Sequence, residues 1–263
     1  MNASLYAFVQ HLSSRCDVPQ MQWQDFNRLR ELPNHPVMTR SPFPLEYDGF
    51  VEPLMRYGTP GFKSDAATFL FSALKVHTSF PGSNPRDNVR ENMTLHDYVT
   101  KHMMGPTHIS HHDRTIWGPG GGDFYHQLNP RSLSIYNCTV HKHTVFNHDS
   151  AQHLIQGYQG KHGGINLHKH SAVGNHLVAG RKLFLFYPPT EDMGHFVKKH
   201  VEPYAPAIHT LYFLMRNPWL PQPRACVAGP GTFTLAADEW WHMTFNLERT
   251  FGVGCTDLDG CDG

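Results

Sequence analysis

The chain lacks a surplus of either charge: Lys plus Arg number 22, and Asp plus Glu also number 22. A general binder of nucleic acid or of an anionic membrane carries a basic excess, so neither class fits. No apolar run approaches the roughly 20 residues that a membrane-spanning helix needs. Residues 1–20 alternate apolar and polar side chains around Arg15 and Asp17, without the basic start and continuous apolar centre of a secretory signal. An intracellular location is therefore expected, with the endoplasmic-reticulum lumen as the alternative. Cysteine is sparse as well. The 5 cysteines are scattered and form no Cys-x-x-Cys pair, which argues against a zinc ribbon and leaves room for one bridge, for example Cys255 to Cys261. No Gly-x-Ser-x-Gly elbow marks a serine hydrolase, and the Gly-rich stretch 117–123 matches neither a dinucleotide fingerprint nor a phosphate loop. Asn2, Asn92 and Asn137 open glycosylation sequons, a pattern that also arises by chance.

What the chain does have is length and histidine. Its 263 residues suit one large domain, or one domain with an N-terminal elaboration, and its 21 histidines make its charge sensitive to mild acid. Helical spacing occurs early, at 3–12 and at 22–32, where Trp23, Phe26 and Leu29 recur on one face. Thr94, with Asp97 in the first turn, opens another helix over 95–104 that Gly105-Pro106 stops. From residue 124 onward the texture changes to short apolar runs at 132–136, 153–156, 165–170, 175–178, 182–187, 232–236 and 242–246, which read as strands. The apolar stretch 210–215 reads as a helical turn packed over them. Helices first and many short strands later predict a mainly β fold with N-terminal helices, a double-stranded β-helix of the cupin or jelly-roll kind.

The chemistry concentrates in three stretches. His168 and His170 are two apart in an extended segment, so both imidazoles face one side, and His242 lies in a second apolar run able to pair beside it. Three such imidazoles make a metal site with open positions. The alternative is ordinary polar histidines in a His-rich chain. Next, Lys182 shares one face of its strand with Phe184 and Phe186, while Leu183 and Leu185 take the other. A cation on an apolar face needs an anion, such as the far carboxylate of a small dicarboxylate, unless it snorkels to solvent. Finally, His242, Thr244 and Asn246 share a face, Met243, Phe245 and Leu247 point into packing, and Trp240 and Trp241 are placed to screen the metal from water. The histidines at 108–113 and 141–143 read as solvated loops. The acidic tail 257–262 lacks the glycine spacing of a calcium loop.

These residues in this order resemble the JmjC family of cupin-fold 2-oxoglutarate oxygenases. The likeness rests on Gly164, His168, Asn175, Gly180-x-Lys182, Tyr187-Pro-Pro189, the Gly229-Pro-Gly231 turn, Trp240-Trp241-His242 and Asn246. Fainter echoes lie at 26–40 and 93–98. The resemblance implies that His168, His170 and His242 bind Fe(II), that Lys182 grips 2-oxoglutarate with Asn175, Thr244 and Asn246 around it, and that a protein or peptide side chain is hydroxylated. It also implies 1–112 as an N-terminal elaboration, 113–254 as the β-helix core with an insert at 188–223, and 255–263 as a tail too short for a dimerising helical pair, hence a monomer. Two positions depart from the family pattern. His170 stands where its hydroxylases carry Asp or Glu, and Ile165 stands where Thr or Ser is usual. The His-x-His form is most similar to a small lumenal branch. Three neutral ligands also suit Zn(II) or Cu(II), so a metal-binding interaction module without turnover and a three-His dioxygenase independent of 2-oxoglutarate both stay open.

Overall fold

The structure is a computed structural model, and it describes residues 1–26, 28–29, 31–40, 75–81, 88–97, 100, 115–117, 162–201 and 207–256, with isolated residues between 55 and 72. Expected strands at 132–136 and 153–156, the histidines at 108–113 and 141–143, the remainder of the Gly-rich stretch after Trp117, and the acidic tail 257–262 lie outside the described residues.

Helix α1 spans Ala3–Ser13, and Asn2 caps it by accepting the Leu5 N–H at 2.9 Å. Strand β1, Gln20–Met21, leads into α2, Trp23–Phe26. This helix is much shorter than the spacing at 22–32 predicts. After Phe26 the backbone bonds back three residues, Arg28 N–H to Asp25 O and Leu29 N–H to Phe26 O, a tight turn that ends the helix ahead of Pro33. Next come β2 (Val37–Arg40), β3 (Lys75–Pro81), β4 (Asn88–Thr94), α3 (Leu95–Asp97) and β5 (Thr115–Trp117). Thr94 caps α3 through the Asp97 N–H at 3.0 Å, as its position predicts.

Strands β6 (Val173–Ala179) and β7 (Lys182–Tyr187) lie in different sheets and are joined by a turn at Gly180, whose φ of +80° only glycine adopts readily. A Cβ there would sit 2.0 Å from the Arg249 carbonyl oxygen. Helices α4 (Glu191–His200) and α5 (Ala207–Arg216) follow, the second a full helix where 210–215 predicts one turn. The chain then adds β8 (Arg224–Ala228), β9 (Thr232–Ala236), β10 (Trp241–Asn246) and β11 (Phe251–Thr256).

These strands form a five-stranded sheet in the order β1-β2-β9-β6-β11, a three-stranded sheet β10-β7-β8, and a second three-stranded sheet β4-β3-β5. Among the described residues all strand pairings are antiparallel except β1 with β2. The first two sheets meet face to face. One buried cluster joins Val173 and Leu177 of β6, Ala236 of β9 and Met38 of β2 to Phe184 and Phe186 of β7 and Cys226 and Ala228 of β8.

The outer faces are covered as the apolar patterning requires. Leu183, Leu185, Met243 and Phe245 pack beneath α1, α4 and α5 through Leu5, Val9, Val197, Leu211 and Leu214. On the other side Phe233 and Leu235 pack against Trp23 of α2, with Phe26 alongside. A disulfide joins Cys16 to Cys226, tying the end of the α1 segment to the inner core. This differs from the Cys255–Cys261 example. Cys255 lies in β11, paired with Gly174, and Cys261 lies outside the described residues. Among the described residues no helix is long and apolar enough to cross a membrane.

Candidate metal centre

Segment 162–170 delivers the first two histidines, and it is not the regular strand expected at 165–170. It lies along β10 with spaced backbone bonds: Asn246 N–H to Gly163 O at 2.7 Å, Thr244 N–H to Ile165 O at 2.9 Å, and a two-way bridge between His168 and His242. Gly164 permits this approach. With φ at +152°, it passes so close to β10 that a Cβ would lie 2.0 Å from the Thr244 carbonyl oxygen.

The bridge puts His168 directly across from His242, and His170 follows on the same side. One donor nitrogen from each of the three lies within 4.8 Å of the others. Ring centroids are 4.3 Å apart for His168 and His242, 4.8 Å for His170 and His242, and 5.1 Å for His168 and His170. Nitrogens bound to one ion at ~2.1 Å in tetrahedral geometry lie ~3.4 Å apart, so binding draws the three rings inward, by up to about 1.4 Å for the widest pair.

The second nitrogen of each ring fixes the tautomer. Nδ1 of His168 faces the Asn166 carbonyl at 2.7 Å, Nδ1 of His170 faces that of Ser171 at 2.6 Å, and Nδ1 of His242 faces that of Trp240 at 2.9 Å. A carbonyl only accepts, so each Nδ1 carries the hydrogen and each Nε2 presents a lone pair. Burial, and then the neighbouring His168 and His170, hold His242 well below the usual histidine pKa, keeping it neutral as a ligand must be. The donor set therefore fits a divalent transition ion.

Lys182 is buried rather than snorkelling, at 2% exposure. The β7–β10 register pairs it with Asn246, Phe184 with Thr244, and Phe186 with His242, so all three polar residues of β10 share its face. Four residues at ~3.4 Å each separate the Lys182 and His242 positions by roughly 14 Å along the sheet. Thr244 uses its hydroxyl oxygen to accept the Ile165 N–H at 3.0 Å, anchoring the ligand segment. Asn246 is fully buried.

Asn175 comes from the facing sheet, on the same side of β6 as the core residues Val173 and Leu177. Across from it on β9 is Thr234, a residue that sequence reasoning missed although it sits at an inward position of that strand. The Asn175 Oδ1 and Thr234 Oγ1 atoms are buried without a hydrogen-bond partner among the described residues. Gly252 adds room beside them, since a Cβ on it would approach Asn175 Oδ1 to 3.5 Å.

Trp240 is buried in the inner cluster, with its indole N–H donating to Asn34 O at 2.9 Å, whereas Trp241 is only partly buried. Neither a protein-family model nor a curated protein sequence matches this chain.

Proposed function

We propose that the chain folds as a JmjC-like double-stranded β-helix and acts as an Fe(II)- and 2-oxoglutarate-dependent oxygenase that hydroxylates a protein side chain. The observation that carries this reading is the shared face: three imidazoles with donor nitrogens within 4.8 Å of one another at one end, and a buried lysine at the other. His168, His170 and His242 would hold the metal, and Lys182 would pair with the far carboxylate of the cosubstrate. When bound, ferrous ion and 2-oxoglutarate supply oxidation of a C–H bond by O2, coupled to release of succinate and CO2. The residues here do the rest. Phe184 and Phe186 line the apolar wall between lysine and histidines, Thr244 fixes the ligand segment, and Asn175 and Thr234 offer polar contacts from the facing sheet.

The Cys16–Cys226 bridge favours the lumenal alternative for location, because disulfides persist where thiols are kept oxidised. The test of function is succinate release from 2-oxoglutarate by the iron-loaded protein, with and without candidate peptides. Succinate that disappears in Lys182→Met supports the reading, and none from either protein contradicts it.

A second reading is favoured by the donor set, which holds no carboxylate among the described residues. A three-His dioxygenase would use Lys182 to hold its substrate's own carboxylate and would consume O2 without 2-oxoglutarate.

A further inference from the structure

The two ligand-bearing segments are joined unequally. His168 exchanges both backbone hydrogen bonds with His242, at 3.0 and 2.8 Å. His170 lies beyond that bridge, and the Glu239 N–H donates to its carbonyl at 3.1 Å, linking its segment to the β10 side. Glu239 makes a second link with its side chain, which is ion-paired to Lys169, the residue between the two histidines. The same ammonium lies 5.5 Å from the centre of the Trp241 ring, next to His242. One lysine thus bridges from between His168 and His170 to the residues flanking Trp240.

Glu239 also stands in a left-handed backbone conformation, with φ at +59°, one of two such non-glycine residues among the described residues. Glycine adopts that conformation without a Cβ penalty. A side chain kept at such a place has to be explained by what it contacts, and strain of this kind gathers at functional sites.

We infer that Lys169 and Glu239 are positioning residues: a clamp across the metal centre that holds His170 in place as the third ligand. This rests on the metal reading proposed above. The pair is 37% and 51% exposed, so its direct attraction is weak and salt-screened, and its effect comes through the placing of His170.

The experiment is titration of metal-free protein with Co(II), read by visible absorbance, alongside thermal unfolding of the same metal-free samples. Glu239→Gly removes the carboxylate while keeping the backbone N–H and relieving the left-handed strain. The expected result is a melting temperature no lower than wild type, with Co(II) bound about tenfold more weakly. Lys169→Met should lose a similar factor, the double variant little more, and all three should approach the spectrum of His170→Ala. Raised salt should weaken Co(II) binding by the wild type more than by the variants. Variants that bind as tightly as wild type overturn the clamp while leaving the metal centre standing. A wild-type protein that binds no Co(II) overturns both.

Discussion

Thr210 on α5 donates its hydroxyl to Asn166 Oδ1 at 2.6 Å, and the Asn166 carbonyl in turn accepts the Nδ1–H of His168 at 2.7 Å. A buried helix residue is thereby connected to an imidazole of the candidate metal site through one asparagine. Thr210→Val keeps the shape and removes the donor inside the core. The expected cost is about 1–3 kcal/mol of stability by urea unfolding, with weaker metal binding, and Thr210→Ser should restore most of both.

Lys182 offers a cleaner separation of the proposed metal from the proposed cosubstrate. Lys182→Met fills a similar volume without charge, and the three histidines are untouched. Affinity for 2-oxoglutarate measured by equilibrium dialysis should fall by roughly 10- to 100-fold, the worth of a charge-assisted hydrogen bond, while metal affinity stays unchanged.

The strand that carries Lys182 was legible because Lys182, Phe184 and Phe186 alternate with Leu183 and Leu185 in a run bounded by Gly180 and Pro188. The shared face of His242, Thr244 and Asn246 was legible for the same reason. By contrast β8, Arg-Ala-Cys-Val-Ala, carries small side chains with little periodic signal, yet it completes the sheet beside β7. In β11, the glycines at 252 and 254 leave no strand pattern and residues 255–256 read as tail, although the strand pairs from Phe251 to Thr256 along β6. The ligand segment misleads in the other direction. Ile165 and His168 suggest a continuous strand, but Gly164 brings the backbone against β10 with an interrupted ladder. Cys16 and Cys226 are 210 residues apart, and no spacing rule chooses that pair over the others.

Gly164→Ala tests that close approach. A methyl group 2.0 Å from a backbone oxygen forces segment 162–166 off β10, so stability should drop by at least ~2 kcal/mol and metal binding should be lost. Urea unfolding and Co(II) titration check the two effects.

Acid should destabilise the fold through His176. Burial lowers its pKa from 6.5 to about 4, and its Nε2 has no hydrogen-bond partner among the described residues. Between those values the unfolded chain binds more protons than the fold, so stability is full above 6.5 and is lost as pH falls toward 4. The loss from this one group is on the order of 3 kcal/mol, and the buried His242 moves in the same direction. Unfolding free energies at pH 7.5 and 4.5 should differ less in His176→Leu than in wild type.

Reduction should also destabilise. Opening the Cys16–Cys226 bridge frees the α1 segment from β8 in a long loop, at a typical cost of 2–4 kcal/mol. Peptide mapping without reductant should recover the two cysteines in one fragment, and Cys16→Ser should melt at a lower temperature.

The most direct measurement is an anaerobic absorbance titration of the protein with Fe(II) and 2-oxoglutarate. A visible charge-transfer band that requires both additions, and that is abolished by His242→Ala and by Lys182→Met, is the expected result. No band in the wild type, or a band that survives both substitutions, would contradict the assignment of His168, His170, His242 and Lys182 to one oxygenase site.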